Sequence, residues 1–475
     1  MLFSSPIFLF LFLPFTLILY FITPKIFKNL FLLIISLCFY TWGEKELVVL
    51  IILSAIIDYS SGLIISNGEK KLGLIVSIFF NLSILIYFKY SNFVFNNLIE
   101  VLQSFNISYL NALNFSDVVL PLGISFYTFQ TMSYTIDVYR GVVKANKNFI
   151  DFAMYVTLFP QLIAGPIVRY KEIEKELTNR TVTTQLFANG VERFIIGLAK
   201  KMIIANNCAF LADGIFALPA SEISFVMAWL GVIAYSFQIY FDFSGYSDMA
   251  IGLGKMFGFN FPENFNYPYI SRSVREFWRR WHITLSNWFK DYLYISLGGN
   301  RKGNTRTYIN LLIVFFITGL WHGANWTFIV WGLFHGLFLV LERLGLKKLL
   351  NKIPHFLSHI YLLLIINISW VFFRSDSVGY SFSYLKAMFS FKQSTNFEYL
   401  NFYLTKEIII ALLFALFFST PIIKWVINYL KNCENKLLNY KIMKIIKVAC
   451  LTFLLLMCFV YISTDSYNPF IYFRF

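Results

Sequence analysis

Long apolar runs recur along almost the whole chain and are separated by short polar segments. A helix that crosses the hydrocarbon core of a membrane needs about 20 mostly apolar residues. Candidate runs, some of them extended by their flanks, are residues 6–22, 30–40, 47–66, 72–88, 120–136, 149–168, 225–241, 309–320, 324–340, 356–373, 408–423 and 448–463. The pattern predicts an all-α polytopic membrane protein, and we interpret the first run as a retained span.

Several of these apolar runs contain residues that break helices. Pro121 and Gly123 interrupt one run, and Pro160, Gly165 and Pro166 interrupt the next. A broken helix leaves backbone polar groups unpaired, which a membrane tolerates only where protein or a watery cavity covers them. We therefore expect re-entrant or half-spanning segments in the middle of the chain, arranged around a central cavity.

The composition excludes a large soluble protein. Of 475 residues, 58% are hydrophobic and 14% are charged, and the mean hydropathy is +0.64, whereas about one quarter of the residues of a soluble domain are charged. The five cysteines form no CxxC pair, and the sequence contains neither an HExxH pair nor a phosphate-binding glycine loop. We predict no bound metal and no bound cofactor.

The net charge of +15 comes from short basic clusters between apolar runs. This is the distribution of cytoplasmic loops in a membrane protein, not of a nucleic-acid groove. Placing alternate clusters in the cytoplasm puts both chain ends on the extracytoplasmic side. Residues 169–201 are basic and amphipathic, and we expect them to lie along the cytoplasmic face.

His322 is the first candidate for chemistry, because it lies inside a strongly apolar run. An ionisable residue within a membrane is costly and is by default a functional candidate. A hydroxyl becomes a good nucleophile when a base takes its proton, and histidine is well matched to that task. The alternative is a histidine that only packs between helices. If the following residues continued the same helix, His335 would lie on a largely different face.

A second polar stretch, residues 271–294, contains another histidine. Its pattern predicts a helix with Trp278, His282, Leu285 and Phe289 on one face. Just before His282 the sequence contains three arginines, Arg275, Arg279 and Arg280. Their guanidinium groups match the geometry of phosphates in a nucleotide-bearing acyl donor; they could instead face lipid headgroups. Farther upstream, the polar residues of FDFSGYSD form no nucleophile elbow, and we expect them to satisfy the backbone at a helix break.

The two polar stretches resemble a known family. RRWHITLSNWF, LGGNR and LWHGANWTFIVWGLFHG resemble the signature of the membrane-bound O-acyltransferase (MBOAT) superfamily. FPQLIAGPIVR and FSGYSDMAIGLGKMFGFNFPENFNYPY are similar to its bacterial alginate O-acetylase branch. The start, MLFSSPIFLFLFLP, and the end, FIYFRF, are similar to that branch as well. The resemblance therefore covers essentially the whole chain.

The resemblance implies about eleven transmembrane helices plus re-entrant segments around a central tunnel. It implies that His322 is the general base and that His282 is the second polar residue of the site, with Trp321, Asn325 and Trp278 lining it. It also implies a thioester donor reached from the cytoplasm, for which acetyl-CoA is the candidate. The acceptor is expected to be an extracytoplasmic hydroxyl, acetylated directly or through a partner protein.

The C-terminal FIYFRF suggests a sharper hypothesis. Similar endings occur on small partner peptides of the related D-alanyl transfer system, so Tyr472 could accept the acyl group transiently and pass it to an extracytoplasmic partner. A phenol is a workable acceptor once a base has removed its proton. The alternative is an aromatic anchor at the membrane interface.

Three rival functions remain open at this point. The first is D-alanyl or other acyl transfer, as in the sister branch. The second is transport of a glycan or a lipid-linked sugar, which also needs broken helices and a central cavity. The third is a scaffold that recruits a soluble transferase. We expect a single transmembrane domain, with N-terminal helices at 1–117, a catalytic core at 118–345 and C-terminal helices with the tail at 346–475, in the bacterial cytoplasmic membrane.

Overall fold

The computed structural model describes residues 2–105, 117–390, 397–431, 436–464 and 467–469. In this part of the chain the regular structure is helical, and it contains no β-strand. The α-helices of the N-terminal half are α1 Leu13–Ile22, α2 Lys28–Glu44, α3 Val48–Ser66, α4 Lys70–Ser104, α5 Ile124–Tyr139, α6 Phe149–Thr157, α7 Phe159–Leu162, α8 Tyr170–Thr178, α9 Thr184–Ala199, α10 Asn206–Phe216 and α11 Phe225–Met256.

The C-terminal half continues in the same way, with short π-helical and 3-10 turns between several helices. Its α-helices are α12 Val274–Trp278, α13 Ile283–Trp288, α14 Gly303–His322, α15 Trp326–Leu341, α16 Lys347–Leu350, α17 His355–Arg374, α18 Val378–Phe389, α19 Phe397–Tyr403, α20 Lys406–Phe418, α21 Ile422–Lys431 and α22 Lys436–Thr464. The π-helical turns are Phe8–Phe12, Lys200–Ala205, Phe289–Tyr294 and Glu342–Leu346, and the 3-10 turns are Lys25–Phe27, Lys45–Leu47 and Pro268–Ile270.

Seven helical segments within the described residues are long and apolar enough to cross a membrane. They are Lys25–Ser66, Lys70–Ser104, Thr184–Phe216, Phe225–Met256, Trp326–Leu350, His355–Arg374 and Ile442–Thr464. The apolar helix Phe8–Ile22 is shorter. Large apolar side chains on the outer helices are exposed, among them Phe79, Leu413 and Ile445, as expected of side chains that face lipid. The protein is an all-α polytopic membrane protein, as the apolar runs predicted.

The predicted breaks fall where the structure interrupts its helices. Gly123 has a φ of +78° and precedes the first residue of α5. Pro160 lies in the first turn of the four-residue helix α7, and Gly165 and Pro166 lie in the non-helical chain that follows. Residues 152–168 are all buried. The backbone groups that lack helical hydrogen bonds in these short segments are therefore covered by protein rather than by lipid.

One expectation about this region was wrong. Residues 169–201 do not form a single segment along the membrane face: α9, the π-helical turn and α10 make one run, Thr184–Phe216, which is itself long and apolar enough to span. It packs closely against α11, because a Cβ on Gly190 would lie 2.7 Å from the carbonyl oxygen of Gly252. Small residues allow such close approach between membrane helices. Arg193, the one basic residue of α9, pairs with Asp248 of α11 at 2.7 Å.

Candidate active site

The chain reverses direction immediately after His322. Helix α14 ends at this residue, Gly323 is extended, and α15 begins at Trp326. The side chain of Asn325 caps α15 by accepting a hydrogen bond of 3.0 Å from the backbone N–H of Thr327, which satisfies one of the free donors of a helix N-terminus. The predicted site residue Asn325 thus shapes the turn that follows His322.

The His322 ring is enclosed by aromatic side chains. Its centroid lies 5.0 Å from Trp321, 5.0 Å from Trp331 and 5.2 Å from Phe373, and all three contacts are edge-to-face. The residue is 6% exposed. Close edge-to-face packing of this kind fixes the plane of a ring, so the imidazole is held in one orientation.

His322 and Trp321 also line a cavity of about 140 Å³. The rest of its wall comes from the backbone and side chains of residues 120–126, from Ile163, and from two charged residues, Glu44 and Lys89. His322 therefore forms part of the wall of a cavity whose volume suits a hydroxyl-bearing group of a few atoms.

His282 is fully buried but does not lie on a regular helix, so the predicted continuous helix over residues 271–294 was wrong. Helix α12 ends at Trp278, and His282 adopts a left-handed φ of +43° before α13 begins. The cause is a pair of backbone hydrogen bonds to a neighbouring segment: the N–H of Ile283 donates to Asn264 at 2.9 Å, and that of Asn266 donates to Arg280 at 2.9 Å. These bonds replace helical ones.

Asn264 also determines which nitrogen of the His282 ring carries the proton. Its side-chain oxygen lies 3.0 Å from His282 Nδ1 and accepts a hydrogen bond of 2.9 Å from the Thr284 hydroxyl, while its amide nitrogen donates to Ser247 at 3.1 Å. Because an amide oxygen only accepts, Nδ1 carries the proton and Nε2 of a neutral ring presents a lone pair. Among the described residues, His282 Nε2 has no hydrogen-bond partner.

The Trp321 indole connects the two histidines. Its centroid lies 6.2 Å from the His282 ring and 5.0 Å from the His322 ring. On the other side, His282 meets the Phe243 ring at 4.6 Å. The structure thus brings His282, Trp321 and His322 together in one buried cluster, although 40 positions separate the two histidines along the chain.

A second, larger cavity of about 300 Å³ begins one helical turn from His322. Apolar and hydroxyl side chains of α14 form one wall, ending at Thr318, and Trp278 faces them. Its basic lining residues are Arg275, Arg279, Lys290, Arg343 and Lys347. Leu285 and Phe289 line it too, whereas His282, predicted on the same face, does not.

The three predicted arginines divide into two groups. Arg275 and Arg279 line both this cavity and an adjoining one of about 660 Å³. Arg280 lines only the adjoining cavity; it pairs with Glu276 at 3.0 Å and donates to the carbonyl oxygen of Asn266 at 3.1 Å. Arg275 and Arg279 are therefore the ones placed to meet a ligand that extends from one cavity into the other.

His335 lies closer to the site than a continuous helix would have placed it. Because the chain reverses after His322, α15 packs back on α14, and the His335 ring lies 5.0 Å from Trp331, which also contacts His322. Nδ1 of His335 accepts a hydrogen bond of 3.3 Å from the indole N–H of Trp278. The predicted site residue Trp278 is thereby held between the large cavity and the aromatic cluster.

The acidic residues of FDFSGYSD do not lie at a helix break, contrary to expectation. They lie within the uninterrupted helix α11 and pair with cations of the neighbouring run: Asp242 with Lys201 at 2.7 Å, and Asp248 with Arg193 and Lys200, each at 2.7 Å. Carboxylates inside a membrane protein are costly unless paired, and here they join α11 to the run before it.

Two further predictions concern metals and the tail. Among the described residues, no group of three or more His, Cys, Asp or Glu side chains could hold a metal ion. Tyr472 lies outside the described residues. The last described segment, 467–469, is anchored to the protein body: Tyr467 donates to Asp213, Asn468 donates to Ser4 at 3.0 Å, and Lys201 donates to the carbonyl oxygen of Pro469.

Sequence reasoning did not single out Lys89. Its ammonium lies in the small cavity beside His322 and donates to the backbone at the end of α14. A lone lysine within the apolar run LSILIYFKYSNF was the available signal, because a cation in a membrane span is a functional candidate.

Comparison with known proteins identifies a family and several relatives. The family MBOAT, membrane-bound O-acyltransferase, matches residues 142–375. A probable alginate O-acetylase of Pseudomonas aeruginosa is 46% identical over 82% of this chain and 75% of its own length. A peptidoglycan O-acetyltransferase of Helicobacter pylori is 36% identical over 100% of this chain and 98% of its own. A teichoic acid D-alanyltransferase of Streptococcus thermophilus is 32% identical over 49% of this chain and 59% of its own.

Fold, site and relatives together define an integral membrane acyltransferase. The chain belongs to the membrane-bound O-acyltransferase family. Both histidines of the buried cluster fall within the matched residues 142–375.

Proposed function

We propose that the protein transfers an acetyl group from a cytoplasmic thioester to a hydroxyl on the extracytoplasmic side, for O-acetylation of a cell-surface or secreted polysaccharide. The observation that carries the proposal is the position of His322, an oriented imidazole that lines one cavity and lies one helical turn from another. The relatives that match most of the chain, an alginate O-acetylase and a peptidoglycan O-acetyltransferase, support acetyl transfer to a glycan.

In the proposed reaction His322 acts as the general base. It takes the proton of the acceptor hydroxyl as the oxygen attacks the thioester carbonyl, and a C–O bond forms. The C–S bond then breaks, the thiolate leaves with the electron pair, and the proton on the imidazole neutralises it. His282 presents the Nε2 lone pair within the same cluster and orients the reacting groups. A thioester is already activated, so the chemistry needs no metal.

The 300 Å³ cavity is the proposed donor site. Its basic residues suit the phosphates of acetyl-CoA, since guanidinium forks match phosphate geometry, and its apolar wall along α14 leads a thioester arm toward Thr318. An acyl carrier protein, the donor expected in the D-alanyl branch, would bring its own phosphate on a similar arm. The two lining arginines, Arg275 and Arg279, are the proposed donor-binding residues, and Arg280 supports them.

The 140 Å³ cavity beside His322 is the proposed acceptor site. A cavity of this size admits one hydroxyl-bearing group, not a polymer, which favours delivery through a carrier or partner protein. Pro469 is held by Lys201, and Tyr472 follows three residues later in the sequence. We propose Tyr472 as the transient acyl carrier and an extracytoplasmic acetyltransferase as the partner that unloads it.

The orientation in the membrane follows from the same scheme. Basic residues line the 300 Å³ cavity and occur in the loops near it. In membrane proteins such residues concentrate on the cytoplasmic side. We place the protein in the bacterial cytoplasmic membrane, with the arginine-lined cavity open to the cytoplasm and both termini extracytoplasmic.

The direct test replaces the base. A His322→Gln variant of the purified protein is expected to release free thiol from acetyl-CoA about 10²- to 10⁴-fold more slowly than wild type, the usual cost of losing a general base. His359→Gln, on α17 and outside the cavities described above, is the matched control and should keep full activity. A His322→Gln variant with wild-type turnover would rule out this mechanism, and a transporter would show no acetyl-CoA turnover at all.

A further inference from the structure

Lys89 is an ammonium buried in the middle of a membrane-spanning helix. It is the twentieth residue of the 35-residue helix α4 and is 8% exposed. Within the described part of the chain it forms no ion pair with a carboxylate. An unpaired cation at such a place is costly, and it persists where it has a function or a strong local partner.

The local partner is the carboxyl end of α14. Lys89 Nζ donates to the carbonyl oxygen of Trp321 and lies 3.4 Å from that of His322. It also donates to the Ser125 hydroxyl at 3.1 Å and lies 5.7 Å from the centroid of the Trp321 ring. The last carbonyls of a helix have no partner within the helix and carry the negative end of its dipole. One ammonium therefore fixes the terminal turn whose last residue is His322.

We propose that Lys89 is a positioning residue for acyl transfer: by binding the carbonyls of Trp321 and His322 it fixes the end of α14, so that the imidazole stays aligned with the acceptor cavity. Its ammonium lines that same cavity. The inference rests on the proposed role of His322 as the base. The new element is that His322, the proposed base, is held in position by the buried ammonium of Lys89 on a second helix, α4.

The neighbouring residue supplies a matched control. The hydroxyl of Tyr90 donates to the carbonyl oxygen of Leu320 at 2.7 Å. Like Lys89, Tyr90 lies on α4 and binds the carboxyl end of α14. Tyr90 does not line the acceptor cavity and carries no charge. If these contacts only stabilised the fold, loss of either one would lower stability and leave the turnover of folded protein unchanged.

The experiment compares Lys89→Met, Lys89→Gln, Lys89→Arg and Tyr90→Phe in detergent-purified protein, with acetyl-CoA as the donor and a monosaccharide as the hydroxyl acceptor. Thiol release is expressed per amount of monodisperse, folded enzyme, and thermal unfolding is followed in parallel. We expect Lys89→Met to lower kcat about 10- to 100-fold, the size of effect that a small misplacement of a catalytic group produces. The KM for acetyl-CoA should stay within about twofold, because the donor site is elsewhere.

The other variants separate positioning from simple capping. Lys89→Arg keeps donors and charge and should restore most of kcat, Lys89→Gln keeps a donor without charge and should restore part, and Tyr90→Phe should leave kcat unchanged. Wild-type kcat in folded Lys89→Met overturns the proposal. If that variant does not fold, wild-type kcat in Lys89→Gln overturns it instead. His322→Gln is run alongside: if it is fully active, the proposed base fails, whereas its inactivity beside an active Lys89→Met refutes only the role of Lys89.

Discussion

At the scale of single residues, Asn264 decides which nitrogen of His282 carries the proton. Its side-chain oxygen faces His282 Nδ1 at 3.0 Å and cannot donate. Replacing it by an apolar residue removes this constraint and lets the ring rotate or change tautomer.

We expect Asn264→Leu to lower kcat about 10- to 100-fold, because the misaligned His282 no longer presents Nε2 to the cluster. Asn264→Asp keeps an acceptor at the same position and should retain more activity. The comparison variant is Asn260→Leu, on the same loop, where the exposed amide donates to Glu176 at 3.0 Å. Thiol release from acetyl-CoA by the three variants provides the measurement, and full activity of Asn264→Leu would refute the tautomer argument.

Single residues also show how far the sequence could be interpreted. The motifs around His322 and His282 mark both residues, and the structure brings both rings next to one indole, that of Trp321. The left-handed backbone of His282 could not be predicted, because it depends on hydrogen bonds to Asn264 and Asn266, which are distant along the chain. The role of Lys89 escaped for the same reason, since its partners lie 232 and 233 positions away.

At the scale of helices, the pair α14 and α15 carries His322, and its contact is unusually close. Gly319 and Gly332 face each other, and a Cβ on Gly332 would lie 3.1 Å from the Cα of Gly319 and even closer to the carbonyl oxygen of Phe315. Any side chain at this point must separate the two helices. The end of α14 would then move relative to Lys89.

We expect Gly332→Ala to reduce the free energy of unfolding by about 1–3 kcal/mol, the usual cost of overpacking, and to lower acetyl transfer as well. Gly379, on α18, has no atom within 4 Å of the position that a Cβ would take. Gly379→Ala should therefore be neutral or slightly stabilising. Thermal unfolding in detergent measures both effects, and equal stability of the two variants would contradict the packing argument.

Helices were predictable to different degrees. Pro and Gly act locally, so Gly123, Pro160 and Pro166 marked their breaks correctly. Residues 169–201 were expected along the membrane face because they are basic and amphipathic, although residues 184–201 belong to the apolar run Thr184–Phe216. Their partners, such as Asp242 and Asp248, lie on α11, and pairing across helices leaves no signal in a single apolar run.

At the scale of the whole molecule, the last described segment, 467–469, is connected to the surroundings of His322. Tyr467 bonds Asp213, which pairs with Arg374 at 2.5 Å, and the residue before Arg374 is Phe373, which packs on the His322 ring. The anchored segment thus begins close to the aromatic side chains that enclose the His322 ring. The resemblance of the whole sequence to one family predicted the all-α membrane fold, whereas the proposed division at residues 117 and 345 stays a prediction.

We expect Tyr472→Phe to abolish acetylation of polysaccharide in intact cells while the protein still inserts into the membrane, because the phenol oxygen that carries the acyl group is missing. Mass spectrometry of the wild-type C-terminal peptide, after incubation with acetyl-CoA, should show an added acetyl group that the variant lacks. Tyr467→Phe, which leaves Tyr472 in place, controls for loss of anchoring. Normal glycan acetylation by Tyr472→Phe would remove the carrier role.

The two cavities beside α14 share no lining residue, and this separation bears on the energetics of the cell. A bacterial membrane stores work as a proton gradient, which any continuous aqueous pore would discharge. In the reaction proposed above, only a two-carbon group would pass the barrier, transferred beside the His322 imidazole, while nucleotide and sugar would remain in their own compartments. Chemical energy from the thioester can thus be exported without a leak.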